Sequence, residues 1–176
     1  YLFIDLSGQI RWDMTGESEE LKALHELVDG WDYYDVMVDG KTKFVWVKVL
    51  NTKKGNTVNA WRVETIKREQ RQSANLVKKI FMDRGGENND GLLASYCRQE
   101  GVEIVWAPTE AKQRQGQVES YQPLILQAAN TMLYHANLHA VFGAFAIPYG
   151  VMLLNMQPVK GADVSRFEAL RGHEPS

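Results

Sequence analysis

Three acidic residues stand where an acid is costly. Asp5 interrupts the apolar run "YLFIDL", Asp83 closes the run "KIFMD", and Glu119 follows a glycine in "RQGQVES". Thirty-five residues separate Asp83 from Glu119. Burial in a strand or at its end disfavours the ionised form of each. Taken singly, each reads as a cap, a turn or a surface acid. Taken together, carboxylates converging at strand ends repel one another unless cations lie between them. Oxygen ligands with no His or Cys beside them favour Mg²⁺ or Mn²⁺. Two such ions, roughly 3.5–4 Å apart, can activate a nucleophile and stabilise the leaving oxygen of a phosphodiester.

Other constellations carry less. His135 and His139 in "YHANLH" are four apart, the spacing of a zinc pair on one helix face, but no third ligand is in sight and polar surface is the simpler reading. The Gly85-Gly86 pair lacks the Lys-Ser/Thr of a phosphate loop and the spacing of a dinucleotide fingerprint. Cys97 has no His nearby in sequence and reads as buried filler, and Ser7 is in no G-x-S-x-G elbow. The five tryptophans, Trp12, Trp31, Trp46, Trp61 and Trp106, fall on strand or helix segments and read mainly as core.

The elements that must position the acids follow from periodicity. "YLFIDLSGQIRW" predicts a strand. "TGESEELKALHELVDG" predicts a helix capped by Thr15 or Ser18, with Leu21, Leu24 and Val28 at helical spacing. In "WDYYDVMVDGKTKFVWVKVLN" valines alternate into Asp39-Gly40 and out again, which predicts a hairpin with a type I′ turn. A helix capped by Asn56 follows, with Lys67, Arg68 and Arg71 on its polar face. Then come a strand ending at Asp83, a helix closed by Gly101, and the strand "VEIVWAP" stopped by Pro108. "TEAKQRQGQ" predicts a mobile polar loop. "PLILQAANTMLYHANL" predicts a helix, "AVFGAFAIPYGVMLL" a second, core-facing one, and "KGADVSRFEALRGHEPS" a weakly structured tail. Antiparallel strands followed by strands alternating with helices imply an α/β fold, a mixed sheet covered by helices. In it Asp5 falls on the central strand, and the other acids lie at strand ends and following loops, where open sheets collect their sites.

Bulk properties bound the rest. The 176 residues fit one domain with a real core, and 44% apolar and 24% charged residues are ordinary for a globular chain. A single cysteine excludes an internal disulfide framework and points to a reducing compartment. The longest apolar stretch is broken by Gly and Pro and is too short to span a bilayer, so no membrane role is expected. The first residue already lies in a strand-like run, as in a piece of a longer protein. The net charge of −2 gives no global nucleic-acid footprint. Its distribution is uneven: residues 13–39 hold nine acids against Lys22, and residues 41–84 hold twelve bases against Glu64, Glu69 and Asp83. The basic stretch could face a polyanion; a solvated surface explains it equally well.

The motifs resemble the catalytic core of a Ty1/copia-type retrotransposon integrase, in the DDE recombinase group. "IDLSGQI" is similar to that family's first-Asp motif and "MVDGKTKFVWVKVL" to the hairpin that follows it. "MDRGGEN" with "YCRQEGVEIVWAP" resembles the second-Asp block, "AKQRQGQVES" the loop and helix carrying the Glu, and "NTMLYHANL" through "FGAFAIPYGVMLLNMQP" the helical end of the core. The likeness covers nearly the whole chain except residues 13–29. It implies an RNase H-like, mixed five-stranded sheet with helices on both faces, a core over 1–158 and an extension over 159–176. It also implies Asp5, Asp83 and Glu119 as catalytic, metal-binding acids holding Mg²⁺ or Mn²⁺. Lys112 and Arg114 are then the DNA contacts, and the implied function is 3′-end processing and strand transfer by a homodimer in the nucleus.

The sequence also departs from that pattern. Gln9 replaces a turn proline, and Arg84 stands where a small polar residue is commoner. Where the family carries a basic, Asn-rich helix face, this chain reads Ser120, Tyr121, Gln122, Pro123. Pro123 lacks an N–H for the carbonyl of Glu119 and sits comfortably only in a first turn, so the helix is expected to begin near Tyr121 or Gln122, with Glu119 on a less rigid backbone. Together with an acidic insertion at 13–29, between the first and second strands, this keeps a second reading open: a domesticated integrase domain that binds a host nuclear protein.

Overall fold

The computed structural model describes residues 1–7, 10, 17–27, 31–72, 76–85, 91–106, 116 and 118–175. Five strands form one sheet: β1 (Leu2–Leu6), β2 (Tyr33–Asp39), β3 (Val45–Leu50), β4 (Lys79–Met82) and β5 (Glu103–Trp106), in the order β3-β2-β1-β4-β5. β1 is antiparallel to β2 and parallel to β4, so it lies at the centre of a mixed sheet. The helices are α1 (Glu19–Leu27), α2 (Gly55–Gln72), α3 (Gly91–Gln99), α4 (Tyr121–His135), α5 (Gly143–Asn155) and α6 (Arg166–Arg171).

The two-residue period of the strands sorts side chains onto two layers. Phe3, Val36, Val38 and Val45 meet Ile125 and Leu133 of α4 and Ile147 and Val151 of α5. Ile4, Met37, Trp46 and Ile80 meet Val63 and Ile66 of α2 and Leu93 and Cys97 of α3. The result is an RNase H-like α/β fold with helices on both faces. Ser18, one of the two expected caps, serves the start of α1, its Oγ accepting from the Leu21 N–H at 3.3 Å, while Thr15 lies outside the described residues. Gly101 adopts φ 67° beyond α3, the left-handed turn its position predicts. Trp31 and Trp46 are buried and Trp61 and Trp106 half-buried, while Trp12 lies outside the described residues.

Three expectations need correction. The β2–β3 reversal is not a two-residue type I′ turn. Asp39 pairs with Phe44, its Oδ2 accepts from both N–H and Oγ1–H of Thr42 at 2.8 Å, and Lys43 takes the positive φ of 61°. The carboxylate organises a longer loop that Asp39-Gly40 alone does not reveal. The second apolar helix is not wholly core-facing: Phe145, Tyr149, Met152 and Leu153 of α5 are exposed, as are Leu124 and Tyr134 of α4. A helix apolar all round still buries only the face its neighbours cover. Finally, the tail is ordered. Ser165 caps α6 through a bond from the Glu168 N–H, Gly172 ends it at φ 76°, and buried Arg166 donates to the carbonyls of Leu154 and Gln157 at 2.9 Å.

Candidate active site

β1 and β4 run side by side with Leu2 opposite Ile80 and Phe3 opposite Phe81. That offset, continued by two residues, brings Asp5 level with Asp83. The Phe3 and Phe81 rings stack at 5.0 Å on the α4 side of the sheet. By alternation the two carboxylates are the next pair on that face. Asp83 stands one residue past the end of β4, and its Oδ1 accepts from the Gly85 N–H at 3.1 Å, a local turn that ends the strand.

Glu119 lies outside the main helix. α4 begins at Tyr121 with Ser120 as its first flanking residue, and Pro123 is the third residue inside. Val118 and Glu119 form a helical turn ahead of it, tied by the Ser120 N–H to the Gly116 carbonyl at 3.1 Å. Pro123 has no N–H for the Glu119 carbonyl, so the ladder breaks there. The expected start near Tyr121 holds. Yet Val118 and Tyr121 are both buried, so packing on either side pins a segment whose backbone ladder is interrupted. Glu119 itself is exposed.

Asp5 carries the clearest electrostatic signature of the site. Burial, then the neighbouring charges of Asp83, Asp35 and Glu119, push its carboxyl up to about 7, with Arg62 opposing. Proximity of like charges and desolvation act in the same direction here. Asp5 Oδ2 accepts from Gln122 Nε2 at 3.0 Å, and the Gln122 carbonyl accepts from Tyr34 Oη at 3.4 Å. Burial and Asp5 push the Tyr34 hydroxyl up to about 12. Tyr34 is tied to β1 in turn, its N–H donating to Ser7 Oγ at 2.9 Å.

Beneath the sheet lies an ion pair that periodicity did not mark. Arg62 Nε and Nη2 grip Asp35 Oδ2 and Oδ1 at 2.8 and 2.7 Å, and Arg62 Nη1 donates to Asn59 Oδ1 at 3.1 Å. Both charged side chains are at most 1% exposed. The available signal was an acid inside the apolar alternation "YYDVMVD" and an Arg at the core period of α2 beside Val58, Val63 and Ile66. Within the pair Arg62 offsets part of the charge of a second carboxylate close to Asp5. In the sequence Gln122 stands out only as a departure from the resembled motif, and no pattern there marks Tyr34.

The remaining candidates do not join the site. His135 ends α4 and is exposed, whereas His139 leads the next helical turn, accepts from the Val141 N–H at 3.2 Å, and faces Glu17 at 3.2 Å. Cys97 is buried, and burial pushes its thiol up to about 11. Lys112 and Arg114 lie outside the described residues.

The donor set suits a hard divalent cation: three carboxylates, with a charge load on Asp5 that a cation would relieve. Among the described residues, however, no three acidic, His or Cys side chains are drawn into a group that would hold a metal. Asp5 and Asp83 are presented together, Glu119 stands nearby on its own turn, and Gln122 takes one Asp5 oxygen.

No family model matches the chain. It is similar to the retrovirus-related Pol polyprotein from transposon RE2 of Arabidopsis thaliana, 25% identical over 150 residues, which is 85% of this chain and 10% of that protein. The corresponding polyprotein from transposon RE1 of the same plant is 24% identical over 149 residues, again 10% of its length. That from transposon TNT 1-94 of Nicotiana tabacum is 23% identical over 133 residues, 76% of this chain and 10% of that protein. The chain thus spans about a tenth of the length of these curated relatives. With the RNase H-like sheet, the matches support a broad link to the integrase/RNase H-like superfamily.

Proposed function

We propose that this chain is the catalytic core of a retrotransposon-type integrase, a metal-dependent polynucleotidyl transferase that processes DNA 3′ ends and joins them to a target. The observation that carries this reading is Asp5, half-buried on the central strand, level with Asp83 and within the field of Glu119. Asp5, Asp83 and Glu119 would hold Mg²⁺ or Mn²⁺, which supplies Lewis acidity to phosphodiester oxygens when bound. The chain's own groups set the stage for that. Asp5 sits on β1 and Asp83 one residue past the end of the parallel neighbour β4, where the Gly85 N–H holds its carboxylate. Gln122 holds Asp5 Oδ2 in place. Arg62 offsets part of the charge of Asp35, whose remaining field still raises the Asp5 carboxyl from the opposite face. Lys112 and Arg114 would meet DNA phosphates, and the enzyme would work in the nucleus.

No helix among the described residues is long and apolar enough to cross a membrane. The exposed apolar row of α4 and α5, with Leu124, Phe145, Tyr149 and Leu153, supports association through these helices, as a homodimer or with a host protein. A strand-transfer assay with Mn²⁺ on the longer parent protein tests the enzymatic reading. DNA joining that is lost in Asp83→Asn and Glu119→Gln is the expected result, and no joining by the unmutated parent counts against it.

Two observations favour a second reading, in which the domain is a domesticated scaffold for a nuclear partner. The first contact of Asp5 is a neutral amide, and Glu119 precedes α4 instead of lying on it. A site that keeps its acids but fills one of them with a protein partner is what relaxed selection on metal binding would leave.

A further inference from the structure

β3 is the outer strand of the sheet on the β2 side, and the helices on either face overhang it. Between the overhangs runs a groove of about 700 Å³, its floor Trp46, Val47 and Lys48, one wall Trp61 and Arg68 of α2, the other Pro148 and Met152 of α5. The sheet thus ends in a lane with helices above and below.

The backbone of the floor says which residues face that lane. In an antiparallel pair, alternate residues bond to the partner strand and those between point away. Asp39 donates to the Phe44 carbonyl, so Phe44, Trp46 and Lys48 turn their backbone toward β2, and Val45, Val47 and Val49 turn theirs outward. Val45 is already served from outside. Asn155 of α5 accepts from its N–H at 2.9 Å and donates to its carbonyl at 2.7 Å. One buried side-chain amide reproduces both bonds that a neighbouring strand would make. Among the described residues nothing does the same for Val47 and Val49, which are only half-buried.

We propose that this edge takes an extended segment of a partner protein as a sixth strand, paired with the N–H and C=O groups of Val47 and Val49. An unpaired edge sets the occupant's conformation, because only an extended backbone meets donors and acceptors at strand spacing. Asn155 sets one end of the lane. Alternate side chains of the segment would fall against Trp61 on one wall and against Pro148 and Met152 on the other, so apolar residues suit them. Charge sets the flanks. Among the described residues Lys48 and Arg68, the latter 3.5 Å from Glu69, line the groove against Glu64, and the strand runs on into exposed Lys53 and Lys54, so the segment is acidic at its ends.

A fluorescent synthetic peptide in which valine and threonine alternate between paired aspartates is the probe, with a twin N-methylated at alternate residues. The chain should bind the first and slow the amide exchange of Val47 and Val49, and should bind the twin about tenfold or more weakly, the cost of one or two hydrogen bonds. Val47→Pro removes an outward N–H without touching the β2 ladder, which edge strands tolerate, and should weaken binding similarly while the far-UV spectrum is kept. Lys48→Glu with Arg68→Glu gives a second variant that leaves the backbone alone and should weaken binding most at low salt. Equal binding of both peptides, binding unchanged by Val47→Pro, or none at millimolar peptide overturns the proposal. So does a dimer of the free chain that Val47→Pro dissociates, since the occupant would then be a second copy.

Discussion

Gln122 Nε2 donates to Asp5 Oδ2 across 3.0 Å, tying the first turn of α4 to the central strand. The contact lies three residues after Glu119 and one before Pro123. It shows how a helix start can govern a carboxylate on a different element. An amide neutralises nothing, so Asp5 keeps the charge burden of its neighbours while losing one lone-pair direction to the protein.

Asp5 makes stability depend on pH in a defined sense. Its carboxyl is raised from 3.8 to about 7 in the folded chain, so the native state holds the proton more tightly than the unfolded state. Stability therefore falls as pH rises from about 4 to about 7, and the penalty is complete above that. Asp5→Asn removes the titration and keeps an oxygen for Gln122. Urea unfolding should find the variant more stable than the parent at pH 8 and alike near pH 4. A difference independent of pH would show that Asp5 is not the group responsible.

Divalent cations should compete with Gln122. Saturating Mn²⁺ should raise the melting temperature by mass action, and Asp83→Asn should remove the rise. Gln122→Ala frees Asp5 Oδ2 and should enlarge the rise. No shift with Mn²⁺ in the unmutated protein points to a vestigial site and favours the scaffold reading.

Pro123→Arg addresses the broken ladder at Glu119. The variant restores an N–H where Pro123 has none and adds a cation at the start of α4. DNA binding should strengthen, with a slope against log salt steeper by roughly 0.9 for each phosphate neutralised. If the parent already joins DNA ends and this variant changes nothing, the helix start is not where the chain limits its activity.

The buried pair offers a stability test separate from function. Arg62→Met alone leaves Asp35 buried and uncompensated and should cost about 3–5 kcal/mol in denaturant melts. Asp35→Leu combined with Arg62→Met removes both charges and should recover most of that loss. A double variant as unstable as the single would mean that Arg62 acts through packing and its bond to Asn59 rather than through the charge pair.

The sequence determined a good deal by itself. The apolar run "YLFIDL", the alternating valines on either side of Asp39-Gly40 and the helical spacing of Leu21 and Leu24 marked strands and helices locally, because a strand or helix pattern is a property of neighbouring residues whatever the partner. Order alone then put Asp5 on a central strand and Asp83 at the end of a later one. Glu119 ahead of α4 was legible too, since the missing N–H of Pro123 is a local property. What only the tertiary structure decided are the contacts between distant elements. Gln122 reaches Asp5, Arg62 grips Asp35, Asn155 stands in for a strand at Val45, and Arg166 draws a polar tail onto the core. None of these has a period, because a polar side chain is buried only where a specific partner meets it, and the partner is set by how helices cross the sheet. The long Asp39 loop and the outward apolar side of α5 escaped for a related reason: a side-chain bond selected one turn over another, and exposure depends on what neighbours leave uncovered.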